Sequence, residues 1–130
     1  MRKYFALISI AFTFTIVSCE GNTTRLWDIE NLSSGTINIE TDFWAATFAD
    51  TTLEAGAGIR FARTDQLGGS SDPRSPSESI NKLIITNEDQ DTIKKDYTLD
   101  ENWEIISDHK SRVPSDFEHQ FIFEVNDEDF

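Results

Sequence analysis

The stretch TINIETDFW, residues 36–44, alternates strictly: Ile37, Ile39, Thr41 and Phe43 fall on one side, Asn38, Glu40 and Asp42 on the other. A period of two over that length predicts a half-buried strand. The same alternation sets Trp44 outward, opposite the Ile37/Phe43 face. Upstream, RLWDIEN places Trp27 and Ile29 on one face, and NLSSG between the two segments has turn chemistry, so they are expected to pair as a hairpin. In LEAGAGIRFAR, Gly56 and Gly58 mark a turn or bulge before a strand whose Ile59 and Phe61 share a face.

A second hairpin is expected from SINKLIITNEDQDTIKKDY, with residues 83–85 buried, NEDQD at the turn and Ile93 in the return strand. LDENWEIIS around Trp103 fits a short helical turn or a strand equally, because its apolar run is short. The last segment, FEHQFIFEV, puts Phe117, His119, Phe121, Phe123 and Val125 on one side. Six or seven short strands, frequent turn signals and no amphipathic helix predict an all-β fold. The expected form is an antiparallel β-sandwich, the immunoglobulin-like version included. TDQLGGSSDPRSPSES, residues 64–79, is rich in Ser, Gly and Pro and lacks periodicity. It reads as a flexible loop, with a binding loop as the alternative.

The chain start follows different rules. Arg2 and Lys3 precede an uncharged, mostly apolar run from Tyr4 to Val17 that ends at the small residue Ser18. This is the layout of a secretory signal peptide over 1–18. The run is shorter than a spanning helix needs and is threaded with Ser9, Thr13 and Thr15. Residues 19–25 then read as a polar tether and 26–130 as one β-rich domain. Cys19 is the only cysteine, which excludes a disulfide within the chain.

The segment Ile16-Val17-Ser18-Cys19 resembles the lipobox of bacterial lipoproteins. The resemblance implies cleavage before Cys19, lipidation of its sulfur and new amino group, and membrane attachment through acyl chains. Each buried methylene contributes about 0.8 kcal/mol, and two chains already anchor stably. More broadly, the lipobox start, NLSSGTINI, SINKLIITNEDQDTIK and the closing EDF resemble small Bacteroidota envelope lipoproteins of unassigned function. That likeness implies a β-rich fold and an outer-membrane lipoprotein. Surface-exported members tend to carry several acids after the cysteine; here only Glu20 follows it directly, which favours the periplasmic side. It supplies no active residues to transfer.

Charge narrows the partners. The net charge is −13, and the predicted signal holds two of the 11 basic residues and none of the 24 acids, so the cleaved chain is more acidic still. Nucleic acid and anionic lipid surfaces are disfavoured, because neutralising phosphates needs clustered Lys and Arg. Any membrane contact is left to the acyl chains.

Catalytic chemistry finds little support. His109 and His119 lack the converging ligands zinc requires, and the acidic NEDQD and NDEDF lack the pattern of a calcium loop. There is no G-x-S-x-G elbow and no phosphate-binding glycine motif. The expectation is a non-enzyme with no cofactor and no metal. Trp27 and Trp103 are expected in the core, and Trp44 is the candidate ligand contact. DTT at 50–52 and DTI at 91–93 resemble the acceptor of Bacteroidota periplasmic O-glycosylation, implying Thr51 and Thr92 as acceptors. The leading reading is a lipid-anchored protein that binds or supports another envelope component. A carbohydrate-binding accessory module and an acidic inhibitor or immunity-type protein are the alternatives.

Overall fold

A computed structural model describes residues 20–44 and 50–130; the predicted signal segment and Cys19 lie outside them. The described residues form seven strands: β1 Asn22–Asn31, β2 Ile37–Phe43, β3 Asp50–Leu53, β4 Gly58–Leu67, β5 Ile80–Thr86, β6 Glu104–Arg112 and β7 Ser115–Val125. They make two sheets, ordered β4-β1-β7-β6 and β3-β2-β5. This is the expected all-β sandwich. Every pairing is antiparallel except β1 with β7, which run parallel, so the first and last strands lie side by side in the middle of the larger sheet. The immunoglobulin arrangement puts the first strand beside the second and the third beside the sixth. Here the first strand lies between the fourth and the seventh, and the second between the third and the fifth.

Alternation in β2 translates directly into burial: Ile37, Ile39, Thr41 and Phe43 are buried and the residues between them exposed. These side chains meet Trp27 and Ile29 of β1 and Phe121, Phe123 and Val125 of β7. The Trp27 ring lies 4.8 Å from Phe43 and 5.0 Å from Phe121, and Trp103 lies 4.9 Å from Phe123. Tilted aromatic pairs of this kind add about 0.5–1.5 kcal/mol each beyond burial. Across β1 and β4 the register shifts so that Trp27 faces Ala62 and Asp28 faces Arg60, which leaves Phe61 as a bulge aimed into the core. On the outer face Asp28 accepts two bonds from Arg60 and one from Gln120, tying β1 to both neighbours. β6 is an open edge with exposed side chains, and Glu104, Asp108, Lys110 and Arg112 along it oppose pairing with another strand.

Several expectations are corrected. The β1–β2 turn does not close a hairpin: the two strands belong to different sheets. Asn31 and Leu32 donate their backbone N–H groups to Ala57 and Val125, so the turn's backbone is bonded toward β4 and β7 rather than across to β2. The buried Asn31 amide holds the turn, donating to the Gly35 and Leu53 carbonyls and accepting from Ser33. The second hairpin is reduced to one bridge, Thr86 with Thr92, and Ile93 lies in no strand. Residues 22–25, expected in the tether, begin β1, because Asn22 bonds to Asp116 and Thr23 and Arg25 bond inward.

The largest difference is the stretch 64–79, expected as a flexible loop. β4 runs on to Leu67, and the rest is bonded to the inner face of the larger sheet. Thr23, Arg25 and His119 share the inward side of β1 and β7 with Trp27 and Phe121, yet they are polar and buried. Thr23 Oγ1 donates to the Gly68 carbonyl and accepts from the Ser70 N–H; His119 Nε2 bonds the Ser70 carbonyl. Arg25 bonds the carbonyls of Asp72 and Pro73, and the Trp27 indole that of Pro76. A loop lying on a sheet must satisfy its backbone groups somewhere, and these inward polar side chains do it. The loop thus covers the end of the larger sheet on the side where the smaller sheet packs elsewhere along the same strands.

Candidate functional site

A cleft of about 230 Å³ opens where this loop, β4 and the end of β2 converge. Arg25 and Trp27 of β1 line it, with Thr64, Asp65 and Gln66 of β4 on one side and Arg74, Ser75, Glu78 and Ser79 on the other. Trp44 also lines it. The Trp44 side chain is 72% exposed, and its ring is offset-stacked on Phe43 with the centroids 6.2 Å apart and the planes 13° from parallel. Phe43 is itself buried against Trp27 and Phe61. One face of an exposed indole is therefore tied to the core while the rest is open to solvent.

Arg25 sets the electrostatics. It is buried, and its guanidinium bonds only neutral oxygens: Nε to Pro73 O at 3.1 Å, Nη2 to Asp72 O at 3.2 Å and Nη1 to Gln66 Oε1 at 3.3 Å. Burial, and after it the neighbouring Arg74 guanidinium, pulls Arg25 below the ordinary arginine value, while Asp72 and Glu78 act the other way. Arg74 is exposed in the left-handed region, φ 64°, with its N–H bonded to Asp72 Oδ1. Asp65 is occupied: Arg63 donates to both its oxygens and Thr24 adds a third bond. Arg63, then Thr24, holds the Asp65 carboxyl down to about 2.

The two histidines serve structure. His119 Nε2 bonds a carbonyl and so carries the proton, which leaves Nδ1 to accept from the Ser107 hydroxyl at 2.8 Å. A serine donating to a histidine is the arrangement of an activated nucleophile. Here both ring nitrogens are taken and neither residue lines the cleft, so the pair acts to hold the loop. His109 is exposed and stacks on Phe117 at 4.3 Å. Among the described residues no group of three or more His, Cys, Asp or Glu side chains is placed to hold a metal ion.

Of the residues singled out in the sequence, Cys19 lies outside the described residues. Trp27 and Trp103 are in the core, each with its indole N–H bonded to a carbonyl. Trp44 is exposed at the cleft, but not by the alternation: β2 ends at Phe43, and the Trp44 ring turns back onto the same side as Phe43 instead of opposite it. Thr51 is half-buried on the same side of β3 as the core residue Leu53, whereas Thr92 is exposed. Arg25 and Arg74, which sequence reasoning missed, come together only because the loop folds back over β1; the available signal was an arginine at an inward position two residues before Trp27. Comparison with known protein families, curated proteins and solved structures gives no match.

Proposed function

We propose that this is a lipid-anchored, non-enzymatic protein of the bacterial envelope that binds another envelope component, and that the component is a carbohydrate held at the Trp44 cleft. The observation that carries the reading is Trp44 itself. An indole 72% exposed, with one face stacked on a core ring, is preorganised to lie against the C–H face of a sugar. Gln66, Ser79 and Glu78 around the cleft supply donors and acceptors for sugar hydroxyls. The resemblance of residues 16–19 to a lipobox supports the anchor at Cys19.

Two experiments test the two halves. Metabolic labelling with a fatty-acid probe is expected to mark the wild-type chain and not Cys19→Ser; equal labelling of both refutes the anchor. Titration with a panel of bacterial and host glycans is expected to give saturable binding that Trp44→Ala abolishes. A flat response across the panel refutes the carbohydrate reading.

A further inference from the structure

We infer that the sugar taken by this cleft is acidic, a ring bearing a carboxylate, and that Arg25 and Arg74 hold that carboxylate. The inference rests on the carbohydrate reading above and deepens it.

Arg25 carries the argument. A buried guanidinium ordinarily has a carboxylate within hydrogen-bonding distance, because taking a full charge out of water is costly unless it is paired. Arg25 has none: its three bonds run to two backbone carbonyls and one side-chain amide. A guanidinium has five N–H groups. Two are left without a partner among the described residues, on a side chain that lines the cleft. The planar fork of arginine matches a carboxylate with two parallel bonds, which is how such donors are best used.

Arg74 adds a second positive charge to the same cleft, close enough to act on Arg25, and no side-chain bond of its own engages it among the described residues. Two like charges facing one space oppose each other until an anion lies between them. The carboxylates do not fill that role: Asp65 is committed to Arg63 and Thr24, Asp72 is bonded by the backbone N–H of Arg74, and Glu78 lines the cleft, but neither Asp72 nor Glu78 bonds a guanidinium directly. In a chain of net charge −13, a cleft lined by two guanidiniums, neither paired with a carboxylate, is a local exception.

The remaining features suit a sugar better than an acidic peptide. About 230 Å³ is below the roughly 300–1,000 Å³ of pockets for larger ligands, so the cleft reads one ring at a time. Trp44 offers a flat apolar surface, and Gln66, Ser79 and Glu78 offer groups for hydroxyls, which a glutamate side chain lacks. The overall negative field opposes the approach of any anion. It is screened beyond about 8–10 Å at physiological salt, whereas the buried Arg25 is screened much less.

The test uses the full chain in detergent micelles and isothermal titration with oligogalacturonate and alginate oligomers, each against its neutral counterpart, galactan and mannan oligomers. Polyglutamate is the peptide comparison. At least one acidic oligomer is expected to bind about tenfold or more tighter than its neutral partner, and Arg74→Gln to remove most of that difference, the scale of one charge-assisted hydrogen bond. Glu78→Gln is expected to tighten acidic oligomers relative to neutral ones, because it removes the negative charge beside the two guanidiniums. Equal binding of acidic and neutral oligomers, unchanged in Arg74→Gln, overturns this inference and leaves the carbohydrate reading standing. Polyglutamate binding as tightly as the uronates overturns it in favour of an acidic peptide. No binding of any oligomer defeats the carbohydrate reading first, and this inference with it.

Discussion

Thr23→Val probes the way the loop after β4 is held. The replacement keeps the shape of a side chain only 1% exposed and removes its hydroxyl. Two bonds go with it: the 2.6 Å bond to the Gly68 carbonyl and the 2.8 Å bond from the Ser70 N–H. A net hydrogen bond contributes about 0.5–1.5 kcal/mol, so the pair contributes about 1–3 kcal/mol. The loss is capped by the free energy of docking the loop, since beyond that the loop opens locally while the sandwich persists. For a domain of this size 1 kcal/mol corresponds to roughly 4 °C in Tm, which gives a fall of about 4–12 °C. Thr24→Val is the control: its bond to Asp65 is exposed, and about 0.5 kcal/mol or less is expected. Thermal unfolding by circular dichroism reads the stability, and limited trypsin digestion after Arg74 reads loop opening. A Thr23→Val protein that melts within 1 °C of wild type and is cleaved after Arg74 no faster refutes the account of the loop.

Gly69→Ala is expected to undock the loop, because the new methyl would sit 1.8 Å from the Ser115 carbonyl oxygen, a backbone atom; its cost is capped, like that of Thr23→Val, by the free energy of docking. Gly56→Ala, in open space at φ 77°, should cost only about 1 kcal/mol of backbone strain; equal Tm losses for the two would contradict the close approach. Asp65 is held down to about 2 in the folded state, below the unfolded carboxylate value of about 3.9. Its contribution is therefore complete above that unfolded value and lost as pH falls toward 2. The Tm gap between wild type and Asp65→Asn should close across that window, and a gap independent of pH would refute the linkage. Trp44→Ala should leave Tm within about 2 °C of wild type, its ring being largely in solvent; a larger fall would show that the ring is structural.

How far the sequence could be read follows from which contacts are local. Alternation in β2 and β7 gave the buried faces, because a pleated strand reports its faces through its own residues; Trp44 lies one residue past β2, where that rule no longer applies. Sheet membership was hidden. NLSSG has the chemistry of a hairpin turn, yet its backbone bonds run to Ala57 and Val125, partners distant in sequence. The parallel register of Trp27 with Phe121 is equally non-local. The loop after β4 looked unstructured because what orders it is elsewhere, in Thr23, Arg25 and His119. Each of those is a polar residue on an otherwise apolar inward face, and that mismatch was the legible trace of the loop. His119 on the apolar side of FEHQFIFEV was visible as such, but its partner Ser70 was not.

The most direct test of the central claim is to follow the three indole N–H signals by NMR during titration with an acidic oligosaccharide, assigned with Trp44→Ala. Trp44 stands in solvent at the cleft, Trp27 lines it with its N–H bonded to Pro76, and Trp103 is buried with its N–H bonded to Tyr97. The account predicts a large saturable shift of the Trp44 signal, a smaller one for Trp27 and none for Trp103. Saturable binding that moves Trp103 and leaves Trp44 in place would put the ligand elsewhere and contradict it.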